Sequence, residues 1–236
     1  MTQQVNINKY LDSKNTALYT NLSKNFKIEL SKILTLRPDG NNSLWLCRIN
    51  QNEVNISYYE DVSTTGYFTH ELFHVSLLDK GFSNFIDLYQ DYTETTEKEL
   101  IFQPIIGHIN NIFAHAKFYN DFISLNYEPH EFVNDYEKAV NKEQTISTIS
   151  ESFNSIGLPN NSISMYIATF YTAKDNKNPK LKSDYDELLS YLYTTDKDLF
   201  TILNQHWEQW VNSNTFNNRE ILVSLFNETE NWYKKR

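Results

Sequence analysis

The sequence predicts an α+β fold, with a small N-terminal antiparallel sheet packed on a mainly α-helical body and a helical C-terminal region. Three observations lead there. Strand-like alternation is confined to the first quarter of the 236 residues. From about Ser63 onward the apolar residues recur at helical spacing. Only 5 Gly and 5 Pro occur, too few for the many tight turns of an all-β design.

The elements follow in order. Phe26-Lys27-Ile28-Glu29-Leu30 alternates apolar and polar, and Leu44-Trp45-Leu46-Cys47-Arg48-Ile49 and Val54-Asn55-Ile56-Ser57-Tyr58-Tyr59 read as two more strands. Pro38-Asp39-Gly40-Asn41 and Asn50-Gln51-Asn52 are the turns between them. Helical periodicity then covers Thr64 to Lys80, Pro104 to Leu125 and Pro129 to Val140, with several amphipathic stretches from Ser162 to the end. Ala173 to Lys180 reads as a loop between later helices, and no repeat of fixed period is present. A single domain is expected over residues 1–236: a sheet at about 26–59, two helices within about 64–125, and a helical C-terminal region at 129–236. Trp207, Trp210 and Trp232 are expected in the core.

Composition narrows the function classes. Apolar residues make up 40% of the chain, with 16 Tyr, 15 Phe and 4 Trp, so the chain should bury a core and fold. Lys and Arg number 21 against 30 Asp and Glu, and the net charge of -9 argues against a nucleic-acid partner. Cys47 is the single cysteine, which excludes an internal disulfide and a Cys-rich zinc site and suits a reducing compartment. No basic n-region with an apolar h-region opens the sequence, and no apolar run approaches the roughly 20 residues of a membrane span. The cytoplasm is the expected compartment, with no membrane partner.

The chemistry is concentrated in His70-Glu71-Leu72-Phe73-His74, an HExxH pattern. With six His and 17 Glu in the chain, such a match is expected only about 0.01 times by chance. Positions i and i+4 of a helix project from one face, so two imidazoles can converge on one Zn²⁺. Glu71 lies roughly 100° further round, beside the metal, where it can take a proton from water rather than ligate. Phe68, Leu72 and Val75 form one apolar stripe and Phe73 with Leu77 another, so this helix should be buried on most sides. Ser63 or Thr64 can cap its start, and Gly81 follows its end.

On these residues the chain resembles the zincin metallopeptidases over about residues 43 to 125. Thr69, Leu72, Phe73 and Val75 match the uncharged flanks of their motif; Ser76 departs from it, where a hydrophobic residue is usual. The resemblance implies an active-site helix under a small sheet, Zn²⁺ as cofactor, and a third ligand from a later helix. The metzincin extension is absent, since Leu77 and Lys80 stand where its Gly and His would be. A gluzincin-like arrangement would draw on Glu94, Glu97 or Glu99, yet Thr96 to Glu99 also fits a capping box and Glu94 can pair with Lys98.

A sharper candidate lies on the helix from Pro104, where His108, Asn111, His115, Phe118, Phe122 and Leu125 share a stripe. Since its aromatic end must face the core, the stripe should carry His108, Asn111 and His115 inward as well. The stretch from Asn111 to His115, followed by Leu125-Asn126-Tyr127, is similar to the second motif of small bacterial zincin-like proteins. There an Asn four residues before a His precedes a Gly-Tyr turn; Asn126 replaces that Gly and still tolerates the left-handed conformation. His115 is thus the expected third ligand, with His108 and Asn111 as second-sphere residues or alternatives.

His130-Glu131 does not repeat the motif, because Asn134 stands where a second His would be, and His206 reads as structural. The expectation is a zinc metallopeptidase acting on a peptide or protein, with Glu71 as general base. The alternative is a non-catalytic or regulatory binding module, of toxin, antitoxin or adaptor type, with a structural or vestigial metal site. A metal-free helical interaction protein would require the motif to be coincidence.

Overall fold

A computed structural model describes residues 2–34, 45–59, 64–84, 86–132, 141–153 and 158–236. In chain order the first elements are β1 (Thr2–Gln4), α1 (Thr16–Leu22), β2 (Lys27–Ile33), β3 (Trp45–Asn50), β4 (Glu53–Tyr58) and α2 (Thr65–Asp79). There follow α3 (Tyr89–Tyr92), α4 (Thr96–Phe102), α5 (Ile106–Ser124), α6 (Lys142–Phe153), α7 (Asn160–Asp175), α8 (Lys182–Thr195), α9 (Lys197–Asn212) and α10 (Arg219–Tyr233). The α+β class is that expected. The Pro38–Asn41 turn, Leu44, Ser63 and the Val133–Val140 part of an expected helix lie outside the described residues. No helix among the described residues is long and apolar enough to cross a membrane.

The chain divides into two compact units, Met1–Gly81 with Phe118–Tyr136, and Phe82–Lys117 with Glu137–Arg236. In the first, the sheet has the order β1-β2-β4-β3. It is mixed, not antiparallel as expected: β2 and β4 run parallel, with Ile28 opposite Val54 and Leu30 opposite Ile56. The tight turn at Gln51, with φ of 54°, folds β3 back on β4 as an antiparallel hairpin. β4 thereby lies between β3 and β2, where Val54, Ile56 and Tyr58 are buried. Its second neighbour, β2, starts from the same end, where the Lys27 N–H donates to the Asn52 carbonyl at 2.7 Å. Trp45 stacks on Tyr58 at 4.7 Å, and the Tyr10 hydroxyl donates to that of Tyr58 at 2.8 Å. Phe68, Leu72 and Val75 of α2 complete this core, as their stripe predicts.

The second unit is helical. Phe113 stacks on Trp210 at 5.4 Å, and the Trp210 indole N–H donates to the Phe113 carbonyl at 2.8 Å. Trp207, Trp210 and Trp232 are all buried, as expected. Lys98 is buried in α4, 2.7 Å from Glu94 and 4.0 Å from Glu230. Thr95, not Thr96, caps α4, accepting from the Lys98 N–H; with the cap one residue earlier, the expected Thr96–Glu99 box does not form.

α5 belongs to both units, and its buried face changes along its length. Ile105, Ile109 and Phe113 are buried on the early turns, whereas His115, Phe118 and Phe122 are buried later. Ile109 lies roughly 100° round the helix from His108, and about 160° from Asn111.

Candidate metal centre

The site begins with α2. The Thr64 side chain accepts the Tyr67 N–H at its start, and Gly81, with φ of 94°, follows Lys80 at its end. His70 and His74 sit one turn apart in the middle, with their Nε2 atoms 3.0 Å from each other. Two nitrogens bound to one tetrahedral Zn²⁺ at about 2.1 Å each would be separated by about 3.4 Å. The pair, on one helix, is therefore within a few tenths of an ångström of a chelating separation.

Aromatic rings enclose the pair. Phe118 lies 5.3 Å from His70 and 5.0 Å from His74, centroid to centroid, and Phe132 lies 4.8 Å from His70. Phe118 also stacks on Phe73 of α2 at 5.3 Å. Glu71 is 7% exposed, and burial pushes its carboxyl up to about 8. Burial also raises the Cys47 thiol well above its ordinary value, with the Glu71 charge adding to the effect, as expected for an inert cysteine in a strand.

The residue before His70 ties the helix to the rest of its unit. Thr69 is fully buried; its Oγ1 donates to the Thr65 carbonyl at 2.7 Å, accepts from the Asn15 amide at 2.9 Å, and lies 3.1 Å from the Tyr127 hydroxyl. Tyr127 donates in turn to Asp12 at 3.0 Å. Burial pushes the Tyr127 hydroxyl up to about 12, with the neighbouring Asp12 charge acting in the same direction. Tyr127 is delivered by the turn at Asn126, whose φ of 58° is the left-handed conformation anticipated there.

His115 is 2% exposed on α5, one turn before Phe118. Its Nδ1 donates to Asp175 Oδ2 at 2.8 Å, and the Asn111 amide donates to its Nε2 at 3.1 Å. His70 and His74 belong to the first unit and His115 to the second. Among the described residues Glu94, Glu97 and Glu99 fall in no close group of three or more His, Cys, Asp or Glu. Imidazoles paired one turn apart, with a carboxylate adjacent in sequence, are a donor chemistry that suits Zn²⁺.

Two expectations for α5 need correction. His108 and Asn111 are exposed, not carried inward with His115. The early turns bury the Ile109 and Phe113 side of the helix, which leaves the stripe outward until His115. His108 bonds to Thr172 Oγ1 at 2.9 Å, while the Asn111 amide bonds to His115 Nε2 at 3.1 Å. His206 is buried and bonded to the Ile202 carbonyl, as a structural histidine should be.

Asp175, Phe132 and the Thr69 network were not singled out from sequence. Asp175 ends α7, in a stretch that reads as a loop, and lies 60 residues from the histidine it contacts, so no local spacing announces it.

No family model matches the chain, and no solved structure matches it. Over 106 residues it is 29% identical to the periplasmic chaperone PpiD of Buchnera aphidicola subsp. Acyrthosiphon pisum (strain APS). That stretch takes in 44% of this chain and spans only 17% of the chaperone's own length, a likeness too partial to assign a family.

Proposed function

We propose that the chain is a zinc-dependent peptidase of the HExxH type. The observation that carries this reading is the pair of Nε2 atoms 3.0 Å apart on α2, with the buried Glu71 between them in sequence. His70, His74 and His115 would hold the ion. When bound there, Zn²⁺ would supply Lewis acidity toward a peptide carbonyl and toward water. Glu71 then acts as general base: its carboxylate takes the proton of the attacking water and passes it to the leaving amide nitrogen. Burial favours that role, because a carboxylate away from bulk water binds a proton more strongly than an exposed one. Phe118, Phe122 and Phe132 line His70 with rings and keep solvent from it. The substrate is a peptide or protein. The acidic net charge weighs against nucleic acid, and the lone Cys47 supports a cytoplasmic setting.

A second reading, a non-catalytic binding module with a structural metal site, is favoured by the partial likeness to a chaperone. Metal analysis combined with a cleavage assay separates the two. The purified chain should hold about one zinc, lost in His70→Ala/His74→Ala. Glu71→Gln should keep the zinc and lose hydrolysis of a peptide library by about 10²–10⁴-fold. Zinc with no cleavage by the wild type would favour the binding module, and zinc unchanged in the double variant would end the metal reading.

A further inference from the structure

We infer that Asp175 is a positioning residue: it fixes the tautomer and orientation of His115 so that Nε2 presents a lone pair to a metal ion. The inference rests on the proposal that His115 is a ligand; the contacts that carry it lie within α5 and α7. A carboxylate can only accept, so the 2.8 Å contact between Asp175 Oδ2 and His115 Nδ1 places the ring proton on Nδ1. Nε2 is then an acceptor. The other neighbour agrees, because the Asn111 amide nitrogen sits 3.1 Å from Nε2 and is itself a donor. Two partners on different helices thus select one tautomer, the one that a metal would need.

The carboxylate is held in its turn. Asp175 has a side-chain exposure of 10%, and its second oxygen lies 3.2 Å from Lys177 Nζ. One turn earlier on α7, Thr172 Oγ1 bonds to His108 on α5 at 2.9 Å, so the two helices are joined at two levels. Only the Asp175 level touches a proposed ligand. A carboxylate behind a metal-bound imidazole also raises the basicity of the ligand, and removing such a partner typically costs 10- to 100-fold in metal affinity.

A plain clasp between helices predicts a different outcome, and the experiment is built on that difference. The full chain, metal-free and with ¹⁵N-labelled histidine, is read by long-range ¹⁵N–¹H correlation. His115 should show the Nδ1–H tautomer, and an Nε2–H tautomer would overturn the inference whether or not metal binds. Zinc is then titrated against a chelating dye in wild type, Asp175→Asn and Thr172→Ala. Asp175→Asn should bind about 10- to 100-fold more weakly, while Thr172→Ala, which breaks only the other clasp, should bind as the wild type does. Equal weakening in both variants, or an Asp175→Asn affinity within about twofold of wild type, would defeat the positioning role. A wild type that takes up no zinc would instead defeat the metal proposal itself, with the tautomer measurement still deciding the role of Asp175 in orienting the ring.

Discussion

Replacing Thr69 by Val tests whether a buried hydrogen-bond network anchors the helix that carries His70. The substitution keeps the branched shape and nearly the same helix propensity, so packing and backbone preference are little disturbed. What is lost is one hydroxyl. The Thr65 carbonyl remains bonded within the helix, and the Tyr127 hydroxyl retains Asp12 at 3.0 Å. Asn15 is different: it is fully buried, and its amide donates to the Tyr10 carbonyl at 2.8 Å and to Thr69 at 2.9 Å. Without Thr69 Oγ1 one of its hydrogens is stranded away from water. A stranded buried donor costs about 1–3 kcal/mol, so Thr69→Val should destabilise by that amount rather than by the sum of three hydrogen bonds. In urea, with an m-value of about 2 kcal/mol/M, the midpoint should fall by about 0.5–1.5 M. In an Asn15→Ala background the same substitution should cost at least about 0.5 kcal/mol less, because the donor is already gone. A loss below about 0.5 kcal/mol in the wild-type background, or an equal loss in both backgrounds, would refute the network as the anchor.

Three further outcomes follow from the same unit. Asn126→Ala should cost about 1 kcal/mol, since φ of 58° disfavours a Cβ-bearing residue without the local bonding of Asn, whereas Asn126→Gly should be neutral or stabilising; urea melts decide it. Gly66→Ala should destabilise by about 1–3 kcal/mol, because a Cβ there would meet the Cβ of Glu131 at 2.7 Å, which cannot swing away as a side-chain tip can. Burial pulls the Asp12 carboxyl upward, but the N–H groups of Lys14 and Asn15 and the hydroxyls of Tyr127 and Thr65 outweigh it and hold the group below its ordinary value. A depressed carboxyl contributes stability above its unfolded value of about 3.9 and loses it as pH falls through the lower folded value. The acid limb of a pH–stability curve should therefore flatten in Asp12→Asn, and an unchanged limb would contradict the assignment.

What the sequence made legible was local. The α2 helix announces itself through a stripe at i, i+4 and i+7, a capping Thr64 and a following Gly81, all within one short stretch, and each proves to be placed as read. The left-handed turn at Asn126 is likewise a property of one residue. The sheet was only half legible. Alternation marks β2, β3 and β4, but pairing direction depends on which strand arrives as second neighbour, and nothing in the alternation of Phe26 to Leu30 says that it will lie parallel to β4. β1 is fully exposed and α1 buries only Leu22, so neither leaves an apolar period to find. α6, with Ile149 as its one buried residue, escaped for the same reason.

The exposure of His108 shows how far one helical stripe can be read. A stripe of residues three and four apart stays on one side of a helix, and the expectation that one end being buried implies the other end buried assumes a single environment along the helix. α5 has two. Its early turns bury Ile109 and Phe113, and its later turns bury the nearly opposite side with Phe118 and Phe122. His115 falls where the second side begins, so it is buried while His108, on the same stripe, bonds to Thr172 at the surface. The two α2 imidazoles depend on nothing beyond the turn of one helix, which is why a five-residue pattern locates them. Orienting His115 takes Asn111 on its own helix and Asp175 on another, and only the first has a fixed sequence offset. A pattern search therefore recovers His70, His74 and one of the two hydrogen-bond partners of His115, and misses the carboxylate that bonds its Nδ1 from another helix.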